Sequence, residues 1–151
     1  MKRVISFVLL LTLVLGMLPI SSYALEEERS AVVYFEDGSY MTETLSIIPS
    51  RGSQTVTGSK AKNYYAGDGE LAWRAILTGT FTYTGSGATC TASSCSVTIY
   101  NSAWYTISKN ATKSGNTASA SVTMGKKLLG ITVNTIPATV SLSCDANGNL
   151  S

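Results

Sequence analysis

The sequence predicts an all-β chain, a single antiparallel β-sandwich behind an N-terminal signal peptide, with an immunoglobulin-like arrangement or a small barrel as variants. Three observations predict it. Apolar and polar residues alternate along most of the chain after residue 30, and Gly, Pro, Asp and Asn turn signals recur at short intervals. Outside the first 24 residues, no segment longer than a turn carries the apolar period of a helix. Ser and Thr supply 36 of the 127 residues from Leu25 to Ser151, a composition that suits a pleated, half-buried surface.

Residues 1–24 have the order of an export signal. Lys2 and Arg3 come first, an apolar stretch from Val4 to Leu18 follows, and Pro19 precedes the small residues Ser22 and Ala24. Cleavage is expected between Ala24 and Leu25. The apolar stretch is shorter than the ~20 residues of a spanning helix. No stable membrane anchor is expected after cleavage, and the chain is expected to be secreted or held at the cell surface. Residues 25–30 read as a flexible acidic leader, and residues 31–151 as the β-sandwich domain.

Within that domain, Ala31–Glu36 and Ser39–Ile47 flank Asp37-Gly38, a strong hairpin signal. Ile48–Gly58 reads as a loop. Ser59–Tyr65 then turns at residues 66–69 into a long strand starting near Glu70. There Leu71, Trp73, Ala75, Leu77, Phe81 and Tyr83 share one face, opposite Arg74, Ile76 and a run of threonines. Shorter strands are expected at 88–91, 94–100 and 103–111. Thr117–Met124 follows, Gly125-Lys126-Lys127 reads as a turn into Leu128–Thr135, and Pro137 precedes Thr139–Cys144. The total is about nine or ten strands, with a polar tail from Asp145.

Charge narrows the function classes. The net charge of +2 comes from Lys2 and Arg3, and the remaining nine Lys/Arg balance nine Asp/Glu. A neutral domain does not suit nucleic acid, whose phosphates require a basic face. The absence of histidine removes the commonest general base and the Ser-His and Cys-His nucleophile arrangements, so no enzyme activity is expected. A carboxylate pair such as Glu43 with Asp68 is the hydrolase alternative. Neither a cofactor nor a metal site is expected, since three cysteines without histidine make a poor ligand set.

In an oxidising compartment those cysteines suggest one disulfide and one free thiol. Cys90–Cys144 is the favoured pairing because it closes a long loop, and Cys95 is left free or as the alternative partner of either. Trp104, Tyr105, Tyr64 and Tyr65 are the candidate aromatic binding surface for a glycan or protein ligand. Trp104 and Tyr105 fall on opposite faces of one strand, and Tyr64 and Tyr65 lie beside a loop.

Four stretches carry a resemblance: Tyr34–Tyr40, Leu77–Tyr83, Lys113–Ala118 and Leu142–Leu150. Together they resemble a group of small uncharacterised secreted proteins of clostridia-like Gram-positive bacteria. The resemblance implies a bacterial, exported β-domain and supplies no functional residue. The sequence therefore favours a non-enzymatic secreted module that binds a ligand or associates with a surface. The rival reading is a small membrane-active toxin or bacteriocin-like protein whose strands, such as Thr117–Met124, line a pore.

Overall fold

The computed structural model describes residues 30–48 and 54–151, so the predicted signal peptide and its Ala24–Leu25 cleavage point lie outside the described residues. Among the described residues eight strands follow one another: β1 (Ser30–Tyr34), β2 (Tyr40–Ile48), β3 (Thr55–Tyr65), β4 (Leu71–Tyr83), β5 (Ala88–Ile99), β6 (Trp104–Ser114), β7 (Thr117–Leu128) and β8 (Ile131–Ser143). Every pairing is antiparallel, and the strands build a five-stranded sheet, β1-β2-β3-β4-β5, and a three-stranded sheet, β6-β7-β8. The sheets form a sandwich and do not close into a barrel. Within each sheet the strands keep chain order, unlike the crossed order of an immunoglobulin fold.

Several predicted breaks are not breaks. Residues 88–99 form one strand with a bulge opposite Thr80 and Phe81, not two strands. Gly125-Lys126-Lys127 lies inside β7, because the Tyr105 ring of β6 covers the glycine; a Cβ there would lie 2.6 Å from the ring. Pro137 lies inside β8, an edge strand bonded on one side only, where a residue without an N–H is tolerated. Longer strands and fewer turns reduce the expected nine or ten to eight.

The alternation read in the sequence determines the core. Trp73, Ala75, Leu77 and Phe81 of β4 face Ala118, Ala120, Val122 and Met124 of β7, with Val140 and Leu142 of β8 beside them, all buried. Each large apolar side chain so buried contributes roughly 1.5–3 kcal/mol. One end of the core is aromatic. Tyr64 stacks on Trp73 at 5.3 Å between ring centroids and meets Trp104 edge-on at 5.0 Å. The other end packs Leu45, Val56, Phe81, Leu142 and Leu150 with Ala118, Ala120, Cys90 and Cys144. A Cβ on Gly79 would stand 2.7 Å from the Phe81 ring and 3.1 Å from the Ala118 Cβ, so the sheets approach closely only because this position is glycine.

Lysines guard the open sides of the sandwich. Lys62 of β3 donates to the Thr139 carbonyl of edge strand β8 at 2.8 Å, and Lys113 of β6 donates to the Thr91 carbonyl of β5. Charged side chains on strand edges obstruct pairing with another chain. The expected polar tail is also structured. Asp145 accepts from the Asn147 and Asn149 amides at 2.8 and 2.9 Å, turning the chain back so that Leu150 is buried beside Gly58.

Candidate functional site

The outward face of the five-stranded sheet gathers tyrosines at one end and hydroxyls along its length. Strand register sets Tyr34, Tyr40 and Tyr65 on adjacent strands. Tyr40 and Tyr65 stack with centroids 4.5 Å apart and planes 8° apart, and Tyr34 lies 5.7 Å from Tyr40. Tyr34 is 75% exposed, so the row ends in an open ring. The geometry follows from period two: if Met41 and Tyr64 point into the core, Tyr40 and Tyr65 must point out.

The next row across the same strands is polar. Asn63, almost fully buried, donates through Nδ2 to Thr42 Oγ1 at 3.0 Å and accepts from Arg74 Nε at 2.6 Å. This chain fixes the Asn63 amide and holds the Arg74 side chain across the sheet. Beside it opens a groove of about 510 Å³ lined by Thr42, Thr44, Ser59, Asn63, Tyr65 and Arg74, among others. That volume is within the ~300–1,000 Å³ usual for ligand sites. Arg74 is the one charged residue of the lining. Farther along the sheet, the Ser59–Thr78 and Thr57–Thr80 hydroxyl pairs meet at 2.9 and 3.2 Å. The surface therefore offers aromatic faces, hydroxyl donors and acceptors, an amide and a single cation.

Of the four aromatics singled out from sequence, the structure brings only Tyr65 to this site. Trp104 and Tyr64 are corrected: both are buried with Trp73 in the core, because their parity matches the inward rows of β6 and β3. Burial pushes the Tyr64 phenol above its ordinary pKa. Tyr105 lies on the outward face of the other sheet, over Gly125, with its hydroxyl 2.6 Å from Thr132 Oγ1. Sequence reading missed Tyr34, Tyr40, Asn63 and Arg74. The signal that finds them is their alternation against the neighbouring core positions.

The disulfide expectation is also corrected, since Cys90, Cys95 and Cys144 are all free. Cys90 and Cys144 do share one cluster of the core, with Leu142 and Leu150. Their thiols point to backbone carbonyls instead of to each other, Cys90 to Ala92 at 3.3 Å and Cys144 to Asp145 at 3.4 Å. Cys90 and Cys95 occupy one strand, so no hairpin separates them. Burial pushes all three thiols above their ordinary pKa.

The carboxylates of the hydrolase alternative stand at different points along the sheet. Glu43 pairs with Lys62 at 3.2 Å and Lys60 at 3.5 Å. Asp68 lies in the β3–β4 turn, where its carboxylate accepts from the Glu70 amide at 3.0 Å. Among the described residues, no three His, Cys, Asp or Glu side chains gather where an ion could be held. The apolar row of Thr117–Met124, the strand of the pore alternative, is taken up by the core. No protein-family model, curated protein or solved structure matches the chain.

Proposed function

We propose that this chain is an exported, non-enzymatic β-sandwich module that binds an uncharged polar ligand, a glycan, on the outward face of its five-stranded sheet. One observation carries the reading: the Tyr34–Tyr40–Tyr65 row continues into a hydroxyl-lined groove whose one charged residue is Arg74. A sugar ring has apolar C–H faces that pack on aromatic rings and a rim of hydroxyls that bond to Thr, Asn and Arg groups. The export-signal pattern of residues 1–24 and the resemblance to secreted bacterial proteins support the extracellular setting.

A glycan array probed with the purified protein tests the reading. Neutral glycans are expected to bind, and Arg74→Gln is expected to weaken the interaction several-fold without loss of fold. Hydrolysis of a glycan that depends on Glu43 or Asp68 would instead favour the carboxylate alternative. An array with no bound glycan sinks the proposal.

A further inference from the structure

The β7–β8 hairpin presents apolar residues where turn chemistry and solvation both favour polar ones. Leu128 and Ile131 pair across its end and are 63% and 70% exposed, and Leu129 at the tip is 95% exposed. Leu129 and Gly130 both have positive φ, 50° and 82°, as a two-residue turn of the type I′ class requires. Asn or Asp is the usual first residue of such a turn, because a larger L side chain is strained there. Leu129 is the one non-glycine residue with positive φ among the described residues. The chain thus holds a strained leucine almost wholly in water, the most exposed large apolar residue among the described residues.

A basic and aromatic collar lies immediately behind this tip. Lys126 and Lys127 follow one another on β7 and rest against opposite faces of the sheet. The Lys126 Nζ lies 6.0 Å from the Trp104 ring centre, and the Lys127 Nζ lies 4.4 Å from that of Tyr105. Tyr100, in the connection between the sheets, is half exposed near the same base, where the Lys127 amide donates to the Ala103 carbonyl at 2.8 Å. Lys126 acts on one acid, Asp37, whose carboxylate is held below its ordinary pKa chiefly by Ser39 and to a small extent by Lys126. From Lys126 to Cys144 the sequence has no acidic residue.

We propose that this hairpin tip docks the protein on a lipid bilayer carrying anionic headgroups. Leu128, Leu129 and Ile131 enter the headgroup–acyl boundary, while Lys126 and Lys127 stay at headgroup level. The tip stands about two residues beyond the Lys127–Thr132 pair, about 7 Å at the rise of a strand. That reach matches the ~5–10 Å of shallow interfacial insertion and falls well short of a bilayer span. Charge complementarity selects the bilayer over a second copy of the chain, because two such collars would face each other with like charge.

Leu129→Trp provides a reporter at the tip, against the buried Trp73 and Trp104. With vesicles of three parts phosphatidylcholine to one part phosphatidylglycerol, its emission is expected to shift to the blue and to be quenched by acyl-brominated lipid. The reporter reads the tip itself, whether or not the apolar stretch Val4–Leu18 remains on the chain. Leu129→Asn with Ile131→Thr is expected to keep or raise the melting temperature while the vesicle partition coefficient falls at least tenfold. Lys126→Gln with Lys127→Gln is expected to weaken partition several-fold and to flatten its salt dependence. Emission of Leu129→Trp unchanged by vesicles overturns the proposal. So does a blue shift that appears without lipid and grows with protein concentration, which would assign the tip to self-association. Glycan binding by the outward face is a separate measurement, so failure of either reading is recognised independently.

Discussion

The two outward faces of the sandwich are made from the same residues and differ in what they present. Both sheets carry Ser and Thr outward, paired across strands. Ser59 meets Thr78 at 2.9 Å on the larger sheet, and Ser119 meets Ser141 at 3.4 Å on the smaller. On the five-stranded sheet, Tyr34, Tyr40 and Tyr65 line up beside the Thr42–Asn63–Arg74 chain and a groove opens along them. On the three-stranded sheet, the outward Tyr105 lies over Gly125 and is bonded to Thr132. Its ring covers backbone that the missing side chain would leave bare, a structural task. Position within the sheet, more than residue type, separates an open aromatic row from a ring that covers backbone.

The strongest way to break that contrast is to remove what both faces rest on. Trp73 is fully buried between the sheets against Tyr64 and Trp104. Trp73→Ala is expected to cost about 3–5 kcal/mol. Chemical denaturation should show the two sheets melting together; separate transitions would mean that the outward faces belong to independent units.

A smaller effect sharpens the contrast directly. Tyr65→Ala is expected to weaken glycan binding by about two- to tenfold, in line with ~0.5–1.5 kcal/mol for an aromatic contact, with little change in melting temperature. Tyr105→Ala should do the reverse, lowering stability by about 1 kcal/mol and leaving glycan affinity unchanged. Equal losses of affinity from the two substitutions, measured by titration calorimetry, would erase the distinction between the faces.

The smallest effects are in the pH dependence, with opposite signs at the two extremes. The folded chain keeps its buried thiols protonated at pH values where the unfolded chain has begun to lose those protons, about 8.5 and above. This stabilisation is fully present below that value and is lost as pH rises towards the folded pKa, so the melting temperature should decline from about pH 8.5 upward. Cys90→Ala should flatten the decline. Asp145 behaves in the other sense. Its side-chain bond from Asn149, and then the Asn149 and Asn147 amides, lower its pKa. Its contribution is present above the ordinary value of about 3.9 and is lost as pH falls through the folded pKa. Asp145→Asn should blunt the loss of stability below pH 4.

Turns show why part of the structure was legible in the sequence. Asp37-Gly38 and the Asp68-Gly69 turn are both hairpins, in which the carboxylate accepts the amide two residues on and the glycine takes positive φ. Such chemistry is local, so it can be read without a fold. Leu129-Gly130 forms the same kind of connection from a residue that does not announce a turn, so the sequence pattern alone places it in a strand. Gly125 suggests a turn in the sequence but lies inside strand β7, because the ring that covers it comes from another strand. The candidate site divides in the same way. The inward placement of Trp73, Leu77 and Phe81 follows from alternation alone, and the parity that sends Tyr40, Tyr65 and Arg74 outward is equally present in the sequence. Their meeting in one row is not, since cross-strand register depends on pairings between distant segments.

The sequence by itself determined the all-β class, the core-facing row of β4 and the Asp-Gly hairpins, since each depends on residues that are neighbours in the chain. Tertiary structure alone decided the division into five and three strands, the tyrosine row and groove, and the exposure of the β7–β8 tip. It also decided the direction of the Cys90 and Cys144 thiols towards carbonyls rather than towards each other. The physical reason is that side-chain alternation and turn propensity act within a few residues, whereas register, sheet partition and burial come from contacts between strands far apart in the chain.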